Sequence, residues 1–461
     1  MKTEVMNRDG TLKVKILVNT VDCWNSHVGS NTLSSWLSGY DSGDLANLYI
    51  REEVPDSDVC GRYFKISENK VIKSVVFRGY QTGKEYSNEN KAEDAEDIVN
   101  LSAQKSRYTF FKKFRFWPFL YLREILWLLG NWKSKELNGF IDSFNPEIIL
   151  LPLEGYIHFN RINQYIIKRT GAKAVGVFWD DNFTYKPHRW SIGFRIHRFF
   201  LRGNLKKTVS LCSGFFAISP QMKTECDKMF NINSIVLTKP VSPSSMQPSQ
   251  NGKGQPVKMI YTGNLLIGRD KTLELLLKAL KDINQDTVKV MLDIYTTTAV
   301  SQKLNQTVSD SPGCELKGAV TQSEAITKQK QADVLLFMEA LSGKDKYSAR
   351  LSFSTKLTDY FATGKCIFAL GPRGIAPIAY LAQEDAAIVA SDFNEIKQKL
   401  QTILNPDAVI EYGRKAFECG RRNHSEARIR SVFKKTIQGL YKDMAADNSG
   451  KSNGSSGQNM P

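Results

Sequence analysis

The sequence predicts an α/β protein of two doubly wound, Rossmann-like domains facing a cleft. Three observations predict this class. Short, near-continuous apolar runs recur, most clearly at residues 146–153 (PEIILLPL) and 172–179 (AKAVGVFW), and such runs suit parallel strands covered on both faces. Helical stretches separate them, the alternation of a doubly wound sheet. A segment rich in Pro, Ser, Gly and Gln at 240–256 interrupts that rhythm, which then restarts.

The elements follow in order. Residues 13–19 (KVKILVN) read as a first strand, followed by a turn-rich loop and a helix near 32–36. Residues 46–52 suggest a second strand. The apolar runs at 146–153 and 172–179 flank a helix at 156–169. A strand at 214–219 leads into a helix capped near Ser219, with Pro220 at its first position. Residues 234–239 finish the first set. Beyond 256, strands are expected at 258–262, 289–297, 332–338, 366–370 and 386–390, with a Leu-rich helix at 270–281. The domains are therefore set at 1–240 and 257–422, with a linker at 241–256 and a polar, disordered tail at 446–461.

Composition narrows the function classes. At 461 residues the chain can hold two ordinary domains, each with its own core. The seven cysteines are dispersed without a C-x-x-C pair, which argues against a zinc site or a disulfide framework and suits a reducing cytoplasm. No signal-peptide core opens the chain, and no run reaches the roughly 18 apolar residues of a membrane span. The formal net charge is +16, and nucleic acid or an anionic membrane is the usual reader of such an excess. Two blocks, 107–135 and 186–207, interleave Lys and Arg with Phe, Trp, Tyr and Leu. Three readings fit them: an interfacial helix on anionic lipid, a buried helix with snorkelling ends, and a stacking surface for single-stranded nucleic acid.

The most informative stretch is 351–372 (LSFSTKLTDYFATGKCIFALGP). It reads as a short helix before a buried strand. Ser354 and Thr355 stand at the helix N-terminus, where free N–H groups and the helix dipole favour a phosphate. Lys356 adds positive charge there. Asp359 lies about one turn on, placed to accept hydroxyl hydrogen bonds, and Gly364 ends the helix. An ordinary capped helix with a surface Asp fits the same residues. In the segment 259–280, Gly263 and Asn264 follow a strand, and Arg269 and Lys271 precede a helix, where two cations could clamp a diphosphate. Solvated cations on a plain βα turn are the alternative. Asp180 and Asp181 follow a buried strand directly, where one could order a sugar hydroxyl or take a proton; an Asx cap is the bland account. His27, Gly29, Ser30 and Asn31 lie just after the first strand, at the cleft edge or in a simple turn. His158 reads as a core or solvated histidine.

Ser354, Lys356, Asp359, Tyr360, Ala362, Gly364 and Lys365 resemble the donor-binding helix of retaining GT-B glycosyltransferases of the large family-four group. There are two departures: the usual ribose-binding Glu is Asp359, and its partner eight residues earlier falls at Leu351. The 263–271 stretch is similar to that group's diphosphate-binding turn, with Asn264 where an Arg is common. Residues 317–324, including Thr321, resemble the stretch whose backbone contacts the base. The first domain is similar to capsule and exopolysaccharide transferases. The resemblance implies a GT-B fold whose last helix, within 423–445, crosses back to the first domain. It implies sugar transfer from a nucleotide-sugar donor, with no cofactor or metal, to a lipid-linked or growing saccharide acceptor in bacterial surface polysaccharide synthesis, with retention of configuration. Asp180, Asp181, Arg269 and Lys356 become the catalytic candidates. The expected location is cytoplasmic, on the anionic inner face of the cell membrane, with no nucleic-acid partner. The rival class is a non-catalytic binding or partner protein of the same fold, with nucleic acid as one ligand for its basic aromatic patches.

Overall fold

Two sheets, each wound with helices on both faces, make up the computed structural model, which describes residues 13–24, 32–87, 117–187, 191–241 and 256–454. The first contains β1 (Ile16–Thr20), β2 (Leu45–Tyr49), β3 (Arg62–Ile66), β4 (Gly83–Ser87), β5 (Ile148–Pro152), β6 (Lys173–Phe178), β7 (Gly214–Ala217) and β8 (Ile235–Val236). Their order is β4-β3-β2-β1-β5-β6-β7-β8, parallel except for β4 against β3. The second holds β9 (Val257–Thr262), β10 (Val290–Tyr295), β11 (Cys314–Gly318), β12 (Val334–Met338), β13 (Cys366–Leu370) and β14 (Ile388–Ala390). Their order is β11-β10-β9-β12-β13-β14, parallel throughout.

The helices of the first half are α1 (Thr32–Leu37), α2 (Glu68–Ser74), α3 (Trp117–Leu129), α4 (Lys135–Phe144), α5 (Ile157–Thr170), α6 (Ile192–Val209) and α7 (Pro220–Phe230). Those of the second are α8 (Arg269–Ile283), α9 (Gln302–Ser309), α10 (Gln322–Gln331), α11 (Thr355–Thr363), α12 (Ala376–Gln383), α13 (Phe393–Ile403) and α14 (Pro406–Asn423), with α15 (Glu426–Gly454) last.

The apolar runs are buried on both faces, as parallel strands require. Leu17, Leu48, Ile149 and Leu151 face one core with Trp127, Phe140 and Ile162. Ile16, Val18, Leu150 and Val175 face the other, with Trp36, Phe216, Phe433 and Ile437. Phe433 belongs to α15, and its ring lies 5.9 Å from Trp36 and 5.7 Å from Phe216. The last helix therefore packs on the first sheet.

Three differences from the sequence reading have simple causes. The edge strand β4 (GKEYS) and its neighbour β3 (RYFKI) are short and too polar to stand out as apolar runs. The tail expected to be disordered from 446 continues α15 as far as Gly454, across a stretch without proline. Most of the proposed linker, 242–255, lies outside the described residues, as do 1–12, 25–31, 88–116, 188–190 and 455–461.

Candidate functional site

In the second sheet, the chain runs from β9 out to β11 and returns to β12 on the other side of β9. Such a reversal opens a crevice at the carboxyl ends of the strands. Gly263 follows β9 there, Glu339 follows β12, and α11 starts opposite them. Tyr261, Asn264, Arg269, Glu339, Ser354 and Lys356 line a cavity of about 120 Å³. This is smaller than the several hundred Å³ of a whole-ligand pocket and fits a compact polar group.

Lys356 is the cation of this cavity that forms no ion pair among the described residues. Its ammonium lies 5.2 Å from the centre of the Tyr261 ring. Burial, then the neighbouring Arg269, push its pKa down to about 8. A Cβ at Gly263 would overlap Lys356 Nζ, so glycine keeps open the space the ammonium occupies. Ser354 stands at the N-cap of α11 but makes no side-chain cap hydrogen bond, and Thr355 is the first helical residue. Gly364 closes the same helix at φ 65°, the left-handed conformation glycine adopts freely.

Arg269 reaches the same cavity but is already engaged. Its Nη2 donates to both Glu339 oxygens at 2.9 and 2.8 Å, its Nη1 to Asn264 Oδ1 at 2.8 Å, and its Nε to the Met338 carbonyl at 3.1 Å. Arg269 and Glu339 cancel in charge, which leaves Lys356 to set the sign of the potential. Lys271 is exposed and does not line the cavity. Thr321 is also exposed; it forms a capping box with Glu324, which holds α10 in place. Asp359 is engaged from across the seam between the sheets by Lys239.

The first-domain side holds a second group of residues. Asp181 is buried and paired with Arg350 Nη2 at 2.8 Å, while also accepting from Thr184. Asp180 opens to the cleft and accepts from Ser352 Oγ at 2.6 Å; loss of solvent raises its pKa. Glu154, after β5, accepts from Trp179 Nε1 at 3.1 Å. Burial, then the Asp180 charge, push its pKa up to about 8, so near neutral pH it carries a proton. Asp180 thus meets Ser352 of the second half, Glu154 lies buried beside Trp179, and Asp181 is an anchor between the halves. His158 is a core residue, stacked on Trp127 at 4.5 Å with Nδ1 3.0 Å from Glu124. His27, Gly29, Ser30 and Asn31 lie outside the described residues.

Sequence reasoning missed Glu154, Lys239, Glu339 and Arg350. Glu154 and Glu339 had a usable signal, since each is the first charged residue after a buried apolar strand, at the edge where ligands gather. Lys239 and Arg350 carried none, because their partners lie 120 and 169 residues away in the chain.

No protein-family model matches this chain, and no curated protein sequence does. Solved structures do. A trehalose 6-phosphate synthase from Burkholderia multivorans superposes with a TM-score of 0.55 at 10% identity, over 94% of this chain and 99% of its own. A structure of trehalose-6-phosphate from E. coli bound with UDP-2-fluoro glucose gives 0.55 at 10% identity, over 92% and 98%. HepE from Anabaena, in complex with UDP-glucose, gives 0.54 at 11% identity, over 92% and 100%. At such identity a likeness speaks for architecture alone, and the architecture is the GT-B fold: two Rossmann-like domains meeting along a cleft.

Proposed function

We propose that this protein is a glycosyltransferase that takes a sugar from a nucleotide-sugar donor. The carrying observation is the Lys356 ammonium, which makes no ion pair among the described residues, at the start of α11 and in the crevice where the second sheet reverses. A donor diphosphate is the group that such a charge and the adjacent helix N-terminus would hold. Lys356 would stabilise the departing diphosphate as it gains charge, while Arg269, fixed by Glu339, shapes the wall beside it. Asp359 would receive the ribose hydroxyls once Lys239 lets go. Glu154 and Asp180 would order an acceptor hydroxyl from the other side of the cleft. The motif resemblance around Ser354 and Lys356 supports retention of configuration. The UDP-sugar complexes among structures of the same fold support a nucleotide-sugar donor.

The finer reading is a lipid-linked or growing saccharide acceptor of bacterial surface polysaccharide synthesis, met at the inner membrane face. Exposed Leu122, Ile125 and Leu129 on α3, with Ile196, Phe199 and Phe200 on α6, support it. The two helices lie side by side, touching through Tyr121 Oη and the Gly193 carbonyl at 2.9 Å. Apolar surface of that extent marks an interaction site, and Lys206 and Lys207 stand exposed near the end of α6. Among the described residues no helix is long and apolar enough to cross a membrane. The basic block of 107–135 lies only in part within the described residues. Arg123 is held by Glu68, Trp127 is core, and 107–116 lie outside the described residues.

The test is a thermal-shift panel of nucleoside diphosphates and nucleotide-sugars against wild type and Lys356→Ala. Stabilisation of wild type by at least one ligand, lost in the variant, is the expected result. A wild type unmoved by the whole panel would remove the donor reading.

A further inference from the structure

Residues 350–353 lead into α11, and each of them is gripped from outside that helix. Arg350 Nη2 donates to Asp181 Oδ2 and to Glu225 Oε2, both at 2.8 Å. The Leu351 carbonyl accepts from Ser219 Oγ at 3.0 Å. Ser352 Oγ donates to Asp180 Oδ1 at 2.6 Å. The Phe353 ring stacks on His424, 5.6 Å between centres. Asp180 and Asp181 follow β6, Ser219 caps α7, and Glu225 lies within α7. The first three grips therefore come from the first half.

Ser354, next in the chain, is the N-cap of α11 and lines the donor cavity together with Lys356. The first N–H groups of a helix have no acceptor inside it. Where they point depends on how the residues ahead of the helix are held. Here the first half does that holding, although the residues that line the cavity all belong to the second.

The grips differ in access. Arg350, Leu351 and Phe353 are buried, whereas Ser352 is half-buried and its partner Asp180 is exposed. Solvent and ligands can reach the Ser352–Asp180 bond, and a change there leaves the buried contacts in place. Among the described residues nothing donates to Asp180 Oδ2, so that oxygen can take a hydroxyl while Oδ1 keeps Ser352.

We propose that Ser352 is a positioning residue for sugar transfer. Through its bond to Asp180 it fixes that first-half carboxylate and the N-terminus of α11 with respect to each other. Donor diphosphate and acceptor hydroxyl then meet in a geometry set by a side chain outside the donor cavity. This rests on reading α11 as the donor helix and Asp180 as an acceptor contact. The effect on nucleotide binding is one of pre-organisation, because a loosened 350–353 segment must be ordered again when the diphosphate binds. By linkage, a nucleotide settled on α11 steadies Asp180 in return.

Calorimetry on the full chain, without acceptor, measures binding of UDP, GDP, ADP and dTDP. Binding by wild type that Lys356→Ala weakens establishes the donor reading separately. With the tightest of the four, Ser352→Ala should bind about three- to tenfold more weakly, a part of what a hydrogen bond to a charged group is worth. Asp180→Ala should lose a similar factor. The double variant should be no weaker than either single one, because both changes remove the same bond. Ser352→Thr keeps the hydroxyl and should bind like wild type. Melting temperatures should change little, since the bond is open to solvent. Unchanged affinity in Ser352→Ala, or losses that add in the double variant, would overturn the inference and leave the donor reading standing. A wild type that binds none of the four nucleotides would remove both.

Discussion

Lys239 and Asp359 form an ion pair, Nζ to Oδ1 2.5 Å, that ties the end of the first sheet's segment to the helix beginning at the donor crevice. The carboxylate expected to receive a ribose is thereby held by a residue of the other half. Ribose binding at Asp359 must displace the lysine. Lys239→Met should therefore tighten a ribonucleotide by a few-fold, on the order of the ~1 kcal/mol of a partly exposed pair. The 2′,3′-dideoxy analogue should be unaffected, and Asp359→Asn should weaken the ribonucleotide more than that analogue. Calorimetry on the four combinations checks this; equal changes for both ligands would place the contact elsewhere.

Lys356 governs the diphosphate. Lys356→Ala should weaken nucleoside-diphosphate binding by roughly 1–3 kcal/mol, the range for charge-assisted hydrogen bonds. The free ammonium is lost as pH rises through about 8. Affinity should then fall, approaching about tenfold per pH unit above that point, with proton uptake on binding. Titrations in buffers of different ionisation enthalpy measure that uptake directly. For folding the sign is opposite: the pKa lies below its ordinary 10.5, so Lys356 costs stability at lower pH, and the cost fades between about 8 and 10.5.

Gly263→Ala tests the space around that ammonium. The new methyl would overlap the mobile end of Lys356 rather than backbone. Diphosphate affinity should drop while the melting temperature changes little. A large loss of stability with unchanged affinity would show that glycine serves the turn instead.

Arg350 and Asp181 form a buried pair, with side chains 4% and 1% exposed. Removing one member leaves the other uncompensated, so Arg350→Met should lower stability by about 3–5 kcal/mol in urea unfolding. Arg350 joins the two halves, so the variant's halves should also unfold in separate steps, resolved by comparing probes in each.

Arg123 and the apolar face of α3 and α6 make separable predictions. Burial alone would raise the Glu68 pKa, but the Arg123 charge and hydrogen bonds override it and hold the carboxyl down at about 2. That stability is present above the ordinary value of 4.5 and lost as pH falls toward 2, so Arg123→Gln should lower stability near neutral pH and flatten the loss between about 4.5 and 2. It should not alter sedimentation with anionic vesicles. Replacing Phe199 and Phe200 with Ser should abolish that sedimentation at unchanged melting temperature, since both rings are exposed.

Local sequence determined the strand cores, the βα alternation and the helix caps, because these depend on neighbours a few residues apart. The run at 148–152 is buried throughout, Ser219 accepts from Met222 N at 3.0 Å, and Cys366–Leu370 is the strand its apolar run implies. The glycine-ended helix carrying Lys356 was legible for the same reason. The pairing of charges was decided only by tertiary structure. Arg269 and Asp359 read as free ligand-binding groups, yet Glu339 and Lys239 engage them in this conformation. Asp181 read as a cleft carboxylate, yet Arg350 draws it into the seam, while Glu154 lies beside Trp179 with its pKa raised by burial. A charged side chain declares its type in sequence, but its partner and its solvent are set by chain segments a hundred or more residues away.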